Sequence, residues 1–276
     1  MPELPEVETI RRQLAPLVTG RIIEQVDVLD PRLCAPLAAS TFARRLIGCE
    51  VVRFDRRGKF MLLALDKGSI LVMHLRMTGN LLYLPPDHPV PEGHLRATMV
   101  LSDEGQLAFV DARRFGTAAI YENQAALDQY FAGRVGVEPF GEDFTPQYLY
   151  ERARNRRSPI KAFLLDQKHV AGVGNIYADE ALFRAGIKPT MPASKLSRAR
   201  AQLLHESIVD ALTAGIDAKG ATIDDFRDAY GVMGSFQDQF LVHRRERLPC
   251  PTCSTPVTKT RVAGRGTYFC SKCQRA

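Results

Sequence analysis

The chain of 276 residues contains no tryptophan, an absence that excludes nothing by itself. Its lack of long apolar runs decides more. The longest, at 61–65 and 70–73, are the size of strands, whereas a membrane-spanning helix needs about 20 apolar residues. A membrane protein is therefore not expected. The first residues, "MPELPEVETI", carry acids and prolines where a secretory signal has bases followed by an apolar stretch. The expectation is a cytoplasmic protein. No internal repeat is present.

The formal charge is +6 and the pI about 9.1. A basic balance is common among nucleic-acid binders, and its distribution matters more than its sum. Arg53, Arg56, Arg57 and Lys59 form one cluster; Arg152, Arg154, Arg156, Arg157 and Lys161 form another; Arg244, Arg245, Arg247, Lys259, Arg261 and Arg265 form a third. Any one of them could be solvated surface. Three beside further nucleic-acid signals point to a polyanion.

Apolar residues Val7, Ile10 and Leu14 recur at helical spacing, so residues 4–14 read as a helix with Pro5 in its first turn. Eight strand-like runs follow, at 21–29, 50–55, 59–66, 69–76, 80–84, 95–102, 106–111 and 117–121, with Asp66-Lys67-Gly68 and Asp103-Glu104-Gly105 reading as hairpin turns. That spacing predicts a sandwich or barrel. After Tyr121 the pattern turns helical. Thr145-Pro146 and Ser158-Pro159 read as helix starts, Asn175 as the cap of another helix, and 196–216 as a further one. Residues 246–276 are too few to form a core unaided. The predicted class is α+β in two domains, with boundaries at 1–135 (β-sandwich and N-terminal helix), 136–245 (helical) and 246–276 (a stapled hairpin).

Cys250-Pro-Thr-Cys253, sixteen residues and then Cys270-Ser-Lys-Cys273 fit a four-thiolate tetrahedral zinc site. The alternative is two disulfides, which a cytosolic setting disfavours. Four protein ligands leave no open position, so such a zinc is structural. "VAGVGNIY" at 170–177 is either a plain helix–helix connection or, with Lys161 nearby, a phosphate clamp at a helix start. "DARRFG" at 111–116 is either a strand end with Phe115 in the core or a cation–aromatic wedge for a DNA stack. The N-terminus is either an ordinary acidic helix start or the carrier of a nucleophile. Removing Met1 before the small Pro2 leaves a secondary amine, partly unprotonated near neutrality and able to attack a sugar aldehyde carbon. Glu3 could then move protons, and Glu6, one turn on, could hold the helix start.

Together these segments resemble the bacterial formamidopyrimidine-DNA glycosylases along the whole chain. The resemblance rests on "MPELPEVET", "RRGKF" at 56–60, "HLRMTG" at 74–79, "DARRFG", "LLDQKHVAGVGNIYADEALFRAGI" at 164–187 and "VAGRGTYFCSKCQ" at 262–274. It implies a bifunctional glycosylase/AP lyase of base excision repair that removes 8-oxoguanine and formamidopyrimidines through a proline Schiff base and β,δ-elimination. The fold implied is a β-sandwich domain, a helix–two-turn–helix domain and a zinc-finger hairpin. Pro2 is then the nucleophile, Glu3 the proton-transfer group and Lys59 an assistant to base removal. Met77, Arg113 and Phe115 would fill the gap left by the flipped base. His74, Lys161, Asn175 and Arg265 would contact phosphates. Thr222, Ile223, Asp224, Asp225 and Phe226 would form a lesion-covering loop. Cys250, Cys253, Cys270 and Cys273 would hold one structural Zn²⁺, with no organic cofactor. The expected partner is double-stranded DNA carrying oxidised bases or abasic sites, with no membrane. A monomer in the bacterial cytoplasm, associated with the nucleoid, completes the picture.

Three departures stand out. Lys219-Gly220 replaces the family's Gly-Gly, His243-Arg244-Arg245 replaces Tyr-Gly-Arg, and Ala112 replaces a proline that would stiffen its loop. Two other functions compete. An endonuclease VIII-like enzyme would prefer oxidised pyrimidines, but its start resembles "PEGPE", unlike Leu4 here. A non-catalytic damage-binding protein would not need Pro2, Glu3 and Lys59.

Overall fold

A computed structural model describes residues 1–91 and 93–276. Its contacts divide the chain into Met1–Ala132 with Ala218–Ser235, and Gly133–Asp217 with Phe236–Ala276.

The first unit opens with α1 (Leu4–Val18), whose Leu4, Val7, Ile10, Leu14 and Val18 are fully buried. Eight strands then build two antiparallel sheets. One has the order β1 (Ile23–Val28), β6 (Leu95–Leu101), β7 (Gln106–Asp111), β5 (Gly79–Leu84); the other runs β2 (Val51–Arg57), β3 (Phe60–Leu65), β4 (Ile70–His74), β8 (Thr117–Tyr121). Alternation along β3 sends Met61, Leu63 and Leu65 inward, to a core shared with Leu71, Met73, Leu81, Met99, Leu107 and Phe109. Each such side chain contributes about 1.5–3 kcal/mol when removed from water.

Register fixes where the connections emerge. Gly79 pairs with Asp111 in one sheet, and His74 pairs with Thr117 and with Phe60 in the other. The chain therefore crosses between the sheets twice at one corner, through 75–78 and through 112–116. The β2–β3 turn at Gly58-Lys59 belongs to the same end of its sheet. The ion pair Arg56–Glu8, at 3.1 Å, ties the first turns of α1 to the last residues of β2.

The second unit contains α4 (Pro146–Ala153), α5 (Ile160–Leu165), α6 (Asn175–Arg184), α7 (Arg198–Asp217) and a hairpin of β9 (Thr258–Val262) and β10 (Arg265–Phe269). Thr145 caps α4 by accepting the Tyr148 N–H at 3.0 Å. Two turns join α5 to α6, closed by one side chain. The Gln167 amide donates to Leu165 O and Val173 O, while its oxygen accepts the Gly172 N–H. Tyr177 lies so close to Gly215 of α7 that a Cβ there would stand 2.4 Å from its ring.

Several expectations differ. Helices α2 (Ala39–Leu46) and α3 (Gln124–Phe131) were not anticipated, and α1 runs past Leu14 to include Pro16. Asn175 is the first residue of α6 and Gly174 its cap. Residues 218–235, assigned to the helical domain, pack with the β-sandwich, and the hairpin shares a unit with the helices. No helix among the described residues is long and apolar enough to cross a membrane.

Candidate active site and nucleic-acid interface

Pro2 is buried, although Met1 before it is exposed. Glu3 caps α1 and forms a reciprocal capping box with Glu6, whose Oε2 accepts the Glu3 N–H at 2.7 Å. The other oxygen of Glu6 accepts the Ala221 N–H at 2.8 Å. Glu6 is 1% exposed, so both oxygens are committed inside the protein. Gly220 makes this approach possible. It has φ +82°, and a Cβ would lie 2.9 Å from Glu6 Cγ. Gly234 presses on the same turn, where a Cβ would meet Gly220 O at 2.2 Å. The returning segment thus locks the residue that orients Glu3, and Glu3 adjoins Pro2.

Lys59 is 5% exposed in the β2–β3 turn, after Gly58 in the left-handed region. His74 is 7% exposed, and its Nδ1 accepts the Arg76 N–H at 2.9 Å. Burial, reinforced by the charges of Arg76 and Lys59, holds its pKa down at about 3. The neutral imidazole keeps its proton on Nε2. Glu8 moves the other way for its type: burial opposes ionisation, but bonds from Arg11 and Arg12 and the charge of Arg56 win, holding its pKa at about 2.

The two sheet crossings carry Met77 and Arg113/Phe115. Met77 is half-buried, Arg113 is exposed, and Phe115 is 50% exposed rather than part of the core. The Arg113 guanidinium sits 4.9 Å from the Phe115 ring centroid. Arg114 takes φ 59° and turns to Asp30 at 3.7 Å, which separates the two arginines of the motif.

The segment from Thr222 to Phe226 does not present itself uniformly. Thr222 is buried and donates to Phe226 O, and Phe226 joins the sandwich core. Ile223 is half-buried, and Asp224 and Asp225 are exposed. Phe226 therefore cannot serve as a covering side chain in this conformation, because its ring is already packed.

In the second unit Lys161 also requires correction. Its ammonium is 0% exposed and meets Asp179 Oδ1 at 2.7 Å, Thr267 Oγ1 at 2.9 Å and Gly266 O at 3.0 Å. An enclosed ammonium cannot also reach a phosphate; Lys161 instead anchors β10. Asn175 Nδ2 donates to the same Gly266 O at 3.1 Å. Arg265 lies exposed just beyond a two-residue turn, Ala263-Gly264, with both φ values positive.

The four cysteine sulfurs lie within 4.8 Å of one another, with Cys253–Cys270 at 3.4 Å and Cys250–Cys273 at 3.9 Å. Zn–S bonds of about 2.3 Å in a tetrahedron place sulfurs about 3.8 Å apart. The donor set fits one structural zinc.

Asp111, Thr78, Asp179 and Glu180 gave no sequence signal strong enough to assign them a role, and His243 stood out only as a departure from the family pattern. Glu180, 0% exposed, accepts the N–H groups of Leu241, Val242 and His243. His243 Nδ1 lies 2.8 Å from Asp179 Oδ2. The available signals were a lone acid beside two arginines in "DARRFG" and an acid pair in the otherwise uncharged run "NIYADEALF".

Models of the formamidopyrimidine-DNA glycosylase N-terminal domain, its H2TH domain and the zinc finger found in FPG and IleRS match residues 1–118, 135–227 and 247–276. The chain belongs to the formamidopyrimidine-DNA glycosylase family. The family's protein from Heliobacterium modesticaldum is 42% identical over 100% of both chains, and that from Bacillus subtilis 40% over 99% of both. A mutant of Lactococcus lactis Fpg in complex with Fapy-dG DNA superposes with a TM-score of 0.92 at 34% identity, covering 100% of both chains. The same organism's Fpg with abasic-site DNA gives 0.92 at 35% identity, covering 99% of this chain and 100% of that one. Its wild-type enzyme with DNA containing an oxidised pyrimidine gives 0.91 at 34%, covering 100% of both. In this family of DNA glycosylases the zinc finger is the hairpin that Cys250, Cys253, Cys270 and Cys273 staple. Both family glycines replaced here fall in left-handed backbone: Lys219 has φ 57° and Arg244 φ 56°.

Proposed function

We propose that the chain excises oxidised purines, 8-oxoguanine and formamidopyrimidines, from duplex DNA and then cleaves the strand. With Met1 removed, the Pro2 amine attacks C1′ of the extruded nucleotide. The glycosidic bond breaks and the base leaves with a proton. Opening of the sugar ring yields an iminium at C1′. A secondary amine's iminium has no N–H proton to shed, so its positive charge persists as an electron sink. Glu3 takes the C2′ proton, and the 3′ phosphate departs with the bonding electrons. A second elimination expels the 5′ phosphate.

The observation that carries this reading is Glu6, which spends both oxygens fixing the helix start that bears Glu3 and Pro2. Lys59 by its charge, and neutral His74 by its Nε2–H donor, favour an anionic substrate near one end of their sheet. Met77, Arg113 and Phe115 would occupy the gap in the stack, with Arg113 facing the orphaned cytosine. Extrusion costs a few kcal/mol, which damage to the base and wedge insertion offset.

Relative excision of 8-oxoguanine opposite cytosine and 5-hydroxyuracil opposite guanine tests lesion class. The purine should be removed faster. A tenfold preference for the pyrimidine would reverse the assignment, and the oxidised-pyrimidine complex of the Lactococcus lactis relative makes that comparison pointed.

A further inference from the structure

Met77 and the Arg113–Phe115 pair reside on different crossings of the sandwich, yet one buried cluster joins the two. Asp111 is 1% exposed and ends β7. Its Oδ1 accepts the Thr78 hydroxyl and, at 3.2 Å, the Arg113 N–H; its Oδ2 accepts the Gly116 N–H at 2.7 Å. Thr78, 8% exposed, also accepts the Arg113 N–H on its own oxygen at 3.1 Å. The Asp111 backbone is held in turn by His94 O at 2.8 Å and by the Arg96 guanidinium on its carbonyl at 2.8 Å. Glycines close both crossings tightly. A Cβ on Gly79 would meet Leu75 O at 2.5 Å, and one on Gly116 would meet the Phe109 ring at 2.5 Å.

We propose that Thr78 and Asp111 are positioning residues that make Met77, Arg113 and Phe115 enter the DNA stack as one rigid unit, and so set discrimination at the opposite base. The proposal rests on the wedge reading of those three side chains. Neither Thr78 nor Asp111 has exposed surface enough to touch a base, so both act through the loops they join. A buried carboxylate with three donors costs nothing to reorganise when the loops meet DNA. Loose loops would have to be ordered at each encounter, at a free-energy cost for every side chain fixed.

The test compares Thr78→Val, Thr78→Ser and Met77→Ala on three substrates: 8-oxoguanine opposite cytosine, the same lesion opposite adenine, and a single-stranded abasic oligonucleotide. The last has no opposite base and no stack to fill. Thr78→Val should excise about tenfold more slowly from the cytosine duplex, because the hydroxyl's bonds to Asp111 and to the Arg113 N–H are both lost. Its preference for cytosine over adenine should shrink, Thr78→Ser should restore both, and cleavage of the single strand should stay within about twofold of wild type. In a Met77→Ala background Thr78→Val should cost little more, because coupled residues are not additive. Equal loss on all three substrates, or additive losses with Met77→Ala, would make Thr78 a merely structural residue and overturn the proposal. Wild-type excision and discrimination by Thr78→Val would overturn it too. Met77→Ala and Phe115→Ala acting like wild type on duplex DNA would instead remove the wedge reading, a different failure.

Discussion

Glu6 shows how much can depend on one carboxylate. Replacing it with glutamine keeps the shape but turns one acceptor into a donor, which then opposes either the Glu3 or the Ala221 N–H. A buried donor left unpaired costs about 1–3 kcal/mol. Glu6→Gln should therefore lower the melting temperature and slow single-turnover excision at least tenfold, both readable on one preparation. His74 supplies a pH dependence. Its folded pKa of about 3 lies below the ordinary 6.5, so the unfolded chain binds the extra proton between those values. Stability is full above pH 6.5 and falls as the pH drops toward 3. Glu8, held at about 2 against 4.5, adds a second loss below pH 4.5. Denaturant titrations should show the first slope flattened in His74→Gln and the second retained. His169, whose pKa burial also lowers, leaves a residual slope of the same sign.

Among the elements, the strands of the first unit were legible because alternating burial leaves a period of two, and the eight strands of its two sheets fall on segments read as strands. Helix α2 was not, because Ala38 gives it no side-chain cap, and α3 is short although Asn123 caps it by accepting the Ala126 N–H at 2.9 Å. Lys161 was misread for a physical reason: spacing reveals a charge near a glycine-rich turn but not the buried Asp179 that takes it. Lys161→Met should leave that carboxylate buried with fewer partners, a loss of about 3–5 kcal/mol. The expected signs are a lower melting temperature and faster zinc release to a chelator. Arg265, exposed beside the tight turn, should behave as a phosphate contact. Arg265→Ala should reduce the slope of log K against log salt by about 0.9 without changing lesion preference. Cys253→Ser should lose zinc and DNA affinity together.

At the scale of the whole molecule, the chain leaves its first unit near Ala132 and returns for Ala218–Ser235. No composition shift announces that return, because the segment combines a small apolar contribution to the core, Phe226 and Ala229, with scattered polar contacts. Ala221 reaches Glu6, Gln13 reaches Asp228 at 2.7 Å, and Arg227 reaches Asn80 at 2.8 Å. The motifs of the first unit were legible because short runs of residue types define them. Their convergence was not, since it depends on register: Gly79 opposite Asp111 and His74 opposite Thr117 bring the crossings that carry Met77, Arg113 and Phe115, and one basic turn, to a common end. In the proposed reaction this end delivers an N-terminal proline to a sugar carbon. Borohydride trapping tests it most directly. The untagged protein is incubated with a duplex carrying 8-oxoguanine opposite cytosine, reduced, digested and mapped by mass spectrometry. A stable adduct on Pro2, with Met1 absent, is the predicted result. An adduct on a lysine, or none from protein whose N-terminus is shown to be free Pro2, would contradict the account.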